Sequence, residues 1–183
     1  MTLPTNVPIT LAELNARSEA QTKIWFSQAC AASKWIDGMA QQRPYFSLDE
    51  LLTKAVNVWQ HCQRADYLEA FEAHPMIGDV NSLREKFAAT KGLASHEQSG
   101  ANKASEQTLM ALSQLNHQYR QKNGFIFIIC ATGLSATSML EALQLRLKNS
   151  PKTELKIAAA QQIKITLLRL EKGLEKGLQN KLN

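Results

Sequence analysis

Residues 125–130 read Phe-Ile-Phe-Ile-Ile-Cys, entered from Gly124 and left through Ala131. In a chain of 183 residues this is the one run with the aromatic and β-branched density of a strand. A single extended segment leaves its backbone donors and acceptors unpaired, and the sequence offers no second run to pair with it. The segment therefore reads as a packed connection or as the buried start of a helix. Which fold class holds it depends on its surroundings.

Those surroundings are helical. Thr10 with Glu13 three residues later is a capping box, followed by Leu11, Leu14, Ser18 and Gln21. Ile24, Trp25, Gln28, Ala31, Ala32 and Trp35 continue at three- and four-residue spacing. Arg43-Pro44 breaks the pattern, since a residue before Pro is pushed out of the helical region. Ser47, with Glu50, restarts it, and Leu51, Leu52, Ala55, Val56, Trp59, Cys62 and Leu68 predict one long stripe ending near Phe71, stopped by His74-Pro75. A short helix is expected over about 82–89, closed by Gly92. Leu109, Leu112, Leu115 and Tyr119 mark a helix over 105–121. Two more are expected over 135–149 and from 153 to about 176, divided by Asn149-Ser150-Pro151. The expectation is an all-α fold: a single compact multi-helix domain over 1–183, with residues 1–8 flexible.

Composition agrees with a packed globule. At 44% hydrophobic and 20% charged, a chain of this length buries about two thirds of its unfolded surface without a metal or disulfide. Cys30, Cys62 and Cys130 are odd in number and widely spaced, which predicts free thiols in a reducing compartment. The longest apolar stretch, 125–131, is far too short for a bilayer, and the N-terminus lacks a basic region followed by an apolar core. A soluble cytoplasmic protein with no membrane partner is expected. The net charge of +5 is uneven: residues 1–117 carry 10 Lys/Arg against 12 Asp/Glu, residues 118–183 carry 11 against 4. Such a basic third suits a nucleic acid, a small anion, or simply a solvated helix face.

The familiar cofactor and metal patterns are missing. His61, His74, His96 and His117 form no His-Glu-x-x-His pair, no Cys-x-x-Cys occurs, and no glycine-rich phosphate loop is present. No metal and no cofactor are predicted, so an enzyme of this sequence works with side chains and backbone alone.

Three features ask for more than packing. In Ala73-His74-Pro75-Met76-Ile77-Gly78-Asp79, a histidine sits at a helix C-terminus, where the dipole favours its cation. Ser95-His96-Glu97-Gln98 reads first as a capping box, with Glu97 in the first turn. The third is Arg169. On a wheel of 100° per residue it falls at about −40° from Leu155, between Ala158 at about −60° and Gln162 at about −20°. That arc is mostly apolar, so a guanidinium there needs either a carboxylate partner or a planar anionic ligand.

Taken in order, His74-Pro75-x-Ile77-Gly78, Glu97-Gln98-x-Gly100, Asn116-x-x-Tyr119-x-x-x-x-Gly124-Phe125-x-Phe127 and Lys164-Ile165-x-x-Leu168-Arg169-Leu170 resemble the 2-oxo-4-hydroxy-4-carboxy-5-ureidoimidazoline (OHCU) decarboxylase family of urate degradation. Leu14-Asn15, Trp35, Arg43-Pro44-Tyr45-Phe46 and Ala70-Phe71-Glu72-Ala73 extend the resemblance over residues 10–173. It implies an all-α homodimer that decarboxylates a small anionic heterocycle to (S)-allantoin without a cofactor. Carried over by position, His74 is the catalytic histidine and Glu97 its acidic partner. Pro75, Gln98, Arg169 and the backbone of Phe125, Ile126 and Phe127 bind substrate. Many members have Pro where this chain has Ile126, which adds a backbone N–H at that point.

The residue types suit that chemistry. Loss of CO₂ leaves charge on a ring carbon beside a carbonyl and an imine-like nitrogen, so the ring is its own electron sink. The protein must hold the carboxylate out of the ring plane and deliver a proton to one face. Two other readings compete: a related helical lyase for another ureido or imidazoline acid, and a non-catalytic basic helical module. A nucleic-acid module would gather its lysines on one face, whereas Lys156, Lys164 and Lys172 spread around the wheel. No nucleic-acid partner is expected.

Overall fold

A computed structural model of the chain describes residues 8–74, 76 and 98–174, with 98–105 described as backbone only. Among those residues are eight helices and no strand: α1 (Leu11–Ala16), α2 (Glu19–Ser27), α3 (Ser33–Gln41), α4 (Leu48–Gln60), α5 (Arg64–Glu72), α6 (Gln98–Asn123), α7 (Ala136–Arg146) and α8 (Pro151–Gly173). The fold is all-α, and no described helix is long and apolar enough to cross a membrane. The chain divides into two compact units, residues 1–73 with 162–183, and residues 74–161. The expected short helix near 82–89, Gly92 and the N-terminal residues 1–7 lie outside the described residues.

In the first unit, the aromatic core is built edge-on. Phe26 meets Trp35 at 5.7 Å and Tyr45 at 6.1 Å between centroids, and Trp35 donates its indole N–H to Ala55 O at 3.0 Å. An edge-to-face pair brings the positive rim of one ring to the negative face of the other, beyond the gain from burial. Asn15 on α1 pairs with both backbone groups of Tyr45, donating to its carbonyl at 2.7 Å and accepting from its N–H at 2.9 Å. That side chain replaces a strand partner for the loop that carries the Arg43-Pro44 break, whose peptide bond is cis.

Two long stripes expected from the sequence are divided, the first into three helices and the second into two. Thr10 and Glu13 do form their box, but Ser18 and Gln21 form a second one, which ends α1 at Ala16 and starts α2. The stripe from Ile24 to Trp35 spans a further break, and Ile24 is half exposed. There Ser33 opens α3 by giving its N–H and hydroxyl to the carboxylate of Glu69, 36 residues away. Likewise α4 ends where Lys34 takes the carbonyl of His61 at 2.8 Å, and α5 opens afresh with Asp66 accepting the Gln63 N–H at 2.6 Å. Ser47 caps α4 as expected, while Glu50 reaches past it to the N–H of Phe46.

In the second unit, α6 packs on α7, and Leu109, Leu112, Tyr119, Met139 and Leu143 are buried. Gly124 closes α6: its φ of 77° lies in the left-handed region open to glycine, and its N–H bonds Arg120 O at 2.9 Å. The chain then turns into residues 125–130, which form a packed connection of irregular backbone. Phe125, Phe127 and Ile128 are buried, and Ile126 and Ile129 are half-buried.

Candidate active site

His74 stands two residues beyond the end of α5 and is half-buried. Met76, just after it, receives Arg120 Nη1 of α6 at 3.9 Å from its sulfur, which ties this segment to α6. Pro75 and Glu97 lie outside the described residues, as does the Ser95 cap. Gln98 is the first residue of α6. Phe125 and Phe127 pack their rings edge-on against Tyr119 at 5.9 and 5.3 Å. Among the described residues, the peptide groups of Ile126 and Phe127 make no hydrogen bond within the chain. They are polar groups on an ordered, partly buried segment, suited to meet a ligand's edge.

Arg169 does not sit as the wheel suggests. The arc itself holds, since Ala158, Ala159, Gln162, Thr166 and Leu170 are buried, yet Arg169 is exposed. Its long stem carries the guanidinium off the face set by its Cα, and Nη1 donates to Ala29 O at 3.1 Å, just past the end of α2. It therefore meets a backbone carbonyl of the connection between α2 and α3 rather than a carboxylate. Arg169 belongs to the first unit, whereas His74, Gln98 and Phe125–Phe127 belong to the second.

The buried guanidinium is Arg146, which the sequence reading did not single out. Its Nε lies 2.9 Å from Glu154 Oε2, its Nη1 donates to Ile128 O at 2.7 Å, and its Nη2 donates to Tyr119 Oη at 3.3 Å. Tyr119 in turn donates to Glu154, and Asn149 Nδ2 donates to Glu154 Oε1 at 2.7 Å. The Arg146 guanidinium also lies over the Phe127 ring, 4.5 Å from its centroid. Burial, then the hydrogen bond to Glu154, pushes the Tyr119 phenol above its ordinary value, so it stays a neutral donor. A signal was present: Met139, Leu143 and Arg146 are spaced by four and three, so Arg146 completes the buried stripe of α7.

The basic excess is mostly solvated, with Lys152, Lys156, Lys164 and Lys172 all exposed on α8. An open groove of about 720 Å³ lies on the first unit between α3, α4 and α5, and no predicted site residue lines it. Its Lys34 is bound to His61 O and faces Asp66 at 3.7 Å. Among the described residues, no cluster of His, Cys, Asp and Glu is arranged to hold a metal, and all three cysteines are free.

The sequence model of the OHCU decarboxylase family matches residues 15–171. The uric acid degradation bifunctional protein TTL of Arabidopsis thaliana is 38% identical over 144 residues, covering 78% of this chain and 44% of that protein. The 2-oxo-4-hydroxy-4-carboxy-5-ureidoimidazoline decarboxylase of Haloferax volcanii is 25% identical over 163 residues, covering 88% of this chain and 94% of that one. The chain thus spans less than half the length of the bifunctional plant relative. A crystal structure of OHCU decarboxylase in the presence of (S)-allantoin superposes with a TM-score of 0.66 at 35% identity, covering 82% of this chain and 96% of that chain.

Proposed function

The chain belongs to the OHCU decarboxylase family, and from that membership we propose that it converts 2-oxo-4-hydroxy-4-carboxy-5-ureidoimidazoline to (S)-allantoin and CO₂. The observation that carries this reading is the family match itself, which runs through both units and encloses every candidate site residue. As the resemblance implies, the reading treats residues 1–183 as one decarboxylase domain that acts in the cytoplasm as a homodimer.

In this reading the bond between the ring carbon and its carboxylate breaks, CO₂ departs, and the electron pair moves into the adjacent carbonyl and imine system. A proton then adds to one face of the neighbouring ureido-bearing carbon, and the hydroxyl on the carbon that lost CO₂ gives up its proton to become a ring carbonyl of allantoin. His74 serves the departing carboxylate or the incoming proton, and Glu97 orients and balances its imidazole. Pro75 stiffens the backbone next to that histidine. Gln98, Arg169 and the peptide groups of Phe125, Ile126 and Phe127 hold the heterocycle. Among the described residues, the peptide groups of Ile126 and Phe127 have no hydrogen-bond partner and Arg169 gives a single N–H to Ala29 O, which supports this assignment. Substrate made in place from urate, by uricase and the next hydrolase, should lose CO₂ faster with the chain than without it. Release at the uncatalysed rate would contradict the proposal.

A further inference from the structure

We infer that Arg146, held by Glu154 and Tyr119, is a positioning residue that fixes the backbone of residues 125–128 and thereby sets substrate affinity. The effect on affinity rests on the decarboxylase reading; the effect on the segment does not.

The segment has irregular backbone in a buried setting, where a carbonyl must find a donor. For Ile128 O that donor is Arg146 Nη1 at 2.7 Å. The same guanidinium covers the Phe127 ring at 4.5 Å, so one planar group grips a carbonyl and the preceding side chain together. Tyr119 packs its ring on Phe125 and Phe127 from α6 and ties its hydroxyl into the ion pair. Beyond the grip, Cys130 N–H donates to Gln161 Oε1 at 3.0 Å and fixes the exit. The peptide groups of Ile126 and Phe127, which have no hydrogen-bond partner among the described residues, lie immediately before the gripped carbonyl.

Stability alone does not account for this arrangement. Apolar residues of similar volume usually hold a fold as well as a buried ion pair. A lysine would supply the charge without the fork that reaches a carboxylate, a carbonyl and a phenol at once. What the fork adds is a single register for the segment. Because a hydrogen bond to the ring and a tenfold change in affinity are of the same size, loosening the segment should raise KM at least about tenfold. Backbone contacts to the ring are made in ground and transition states alike, so kcat should change less.

The experiment compares the intact chain with the Tyr119→Phe/Arg146→Met/Glu154→Met variant, which replaces the network by apolar groups of similar size. Backbone ¹⁵N order parameters for residues 126–129 and steady-state kinetics are measured on both. The expected result is a folded variant with order parameters falling from about 0.85 towards 0.6 and a KM raised at least tenfold. A folded variant with unchanged order parameters and unchanged KM overturns the inference. Should the triple variant not fold, Arg146→Lys, which keeps a cation beside Glu154, should raise KM likewise, and an unchanged KM there overturns it. An intact chain without activity would sink the decarboxylase reading and the claim on affinity, while the order parameters still decide whether Arg146 holds the segment.

Discussion

Arg146 on α7 and Glu154 on α8 form a buried ion pair, Nε to Oε2 at 2.9 Å, with side chains 10% and 0% exposed. Five side chains and one backbone carbonyl meet there, counting Tyr119, Asn149 and the Phe127 ring with the pair itself. The network spans α6, the 125–130 connection, α7 and the start of α8, all within the second unit.

Removing one partner leaves the other as an uncompensated buried charge. Glu154→Ala and Arg146→Met should each cost about 3–5 kcal/mol of folding stability. Removing all three polar partners together should cost much less than the sum of the single losses, because no charge is left stranded. Urea unfolding of the single and triple variants measures this. Additive losses would contradict the network.

Asn15 is tied to Tyr45 as closely as a strand is to its neighbour, and both residues stand in motifs that carried the family resemblance. Asn15→Ala strands the N–H and carbonyl of Tyr45 and should cost about 1–3 kcal/mol. Asn15→Asp keeps the acceptor for Tyr45 N–H and loses the donor to its carbonyl, so its loss should be smaller. Denaturation midpoints of the two variants decide, and equal stability in Asn15→Ala and the parent would contradict the pairing.

Burial raises the Cys30 thiol from 9.0 to about 11, only partly offset by hydrogen bonding and the Arg169 charge. Below pH 9 the thiol is neutral in both folded and unfolded chains and contributes no pH dependence. Between about pH 9 and 11 the unfolded thiol ionises and the folded one does not, so stability should fall as pH rises, by up to ~1.4 kcal/mol per unit. Cys62, also raised to about 11 by burial, acts in the same direction. Unfolding midpoints from pH 8 to 11 should decline, and less steeply in Cys30→Ala. Parallel slopes would contradict the assignment.

What the sequence revealed follows distance along the chain. Caps at Thr10 and Ser47 were legible because donor and acceptor lie three residues apart. The run at 125–130 was legible as no member of a sheet, because one strand has no partner, but the choice between a packed connection and the buried start of a helix came only with the structure. The ends of α2 to α5 were harder. Glu69 opens α3 from 36 residues away and Lys34 helps to close α4 from 27 away, and apolar periodicity carries neither contact. Arg169 shows the limit of a helix wheel, which places a Cα but not the end of a three-methylene stem and its guanidinium. Arg146 shows the reverse, a charge at a core position of the α7 stripe whose carboxylate partner follows the Asn149-Ser150-Pro151 break.

Stereospecific decarboxylation by this chain should depend on His74. With the substrate formed in place from urate, the optical activity of the product reports it. The intact chain should yield (S)-allantoin rapidly, while folded His74→Ala should leave the slow racemic product expected without protein. Racemic product at the uncatalysed rate with the intact chain, or undiminished (S)-allantoin formation by His74→Ala, would contradict it.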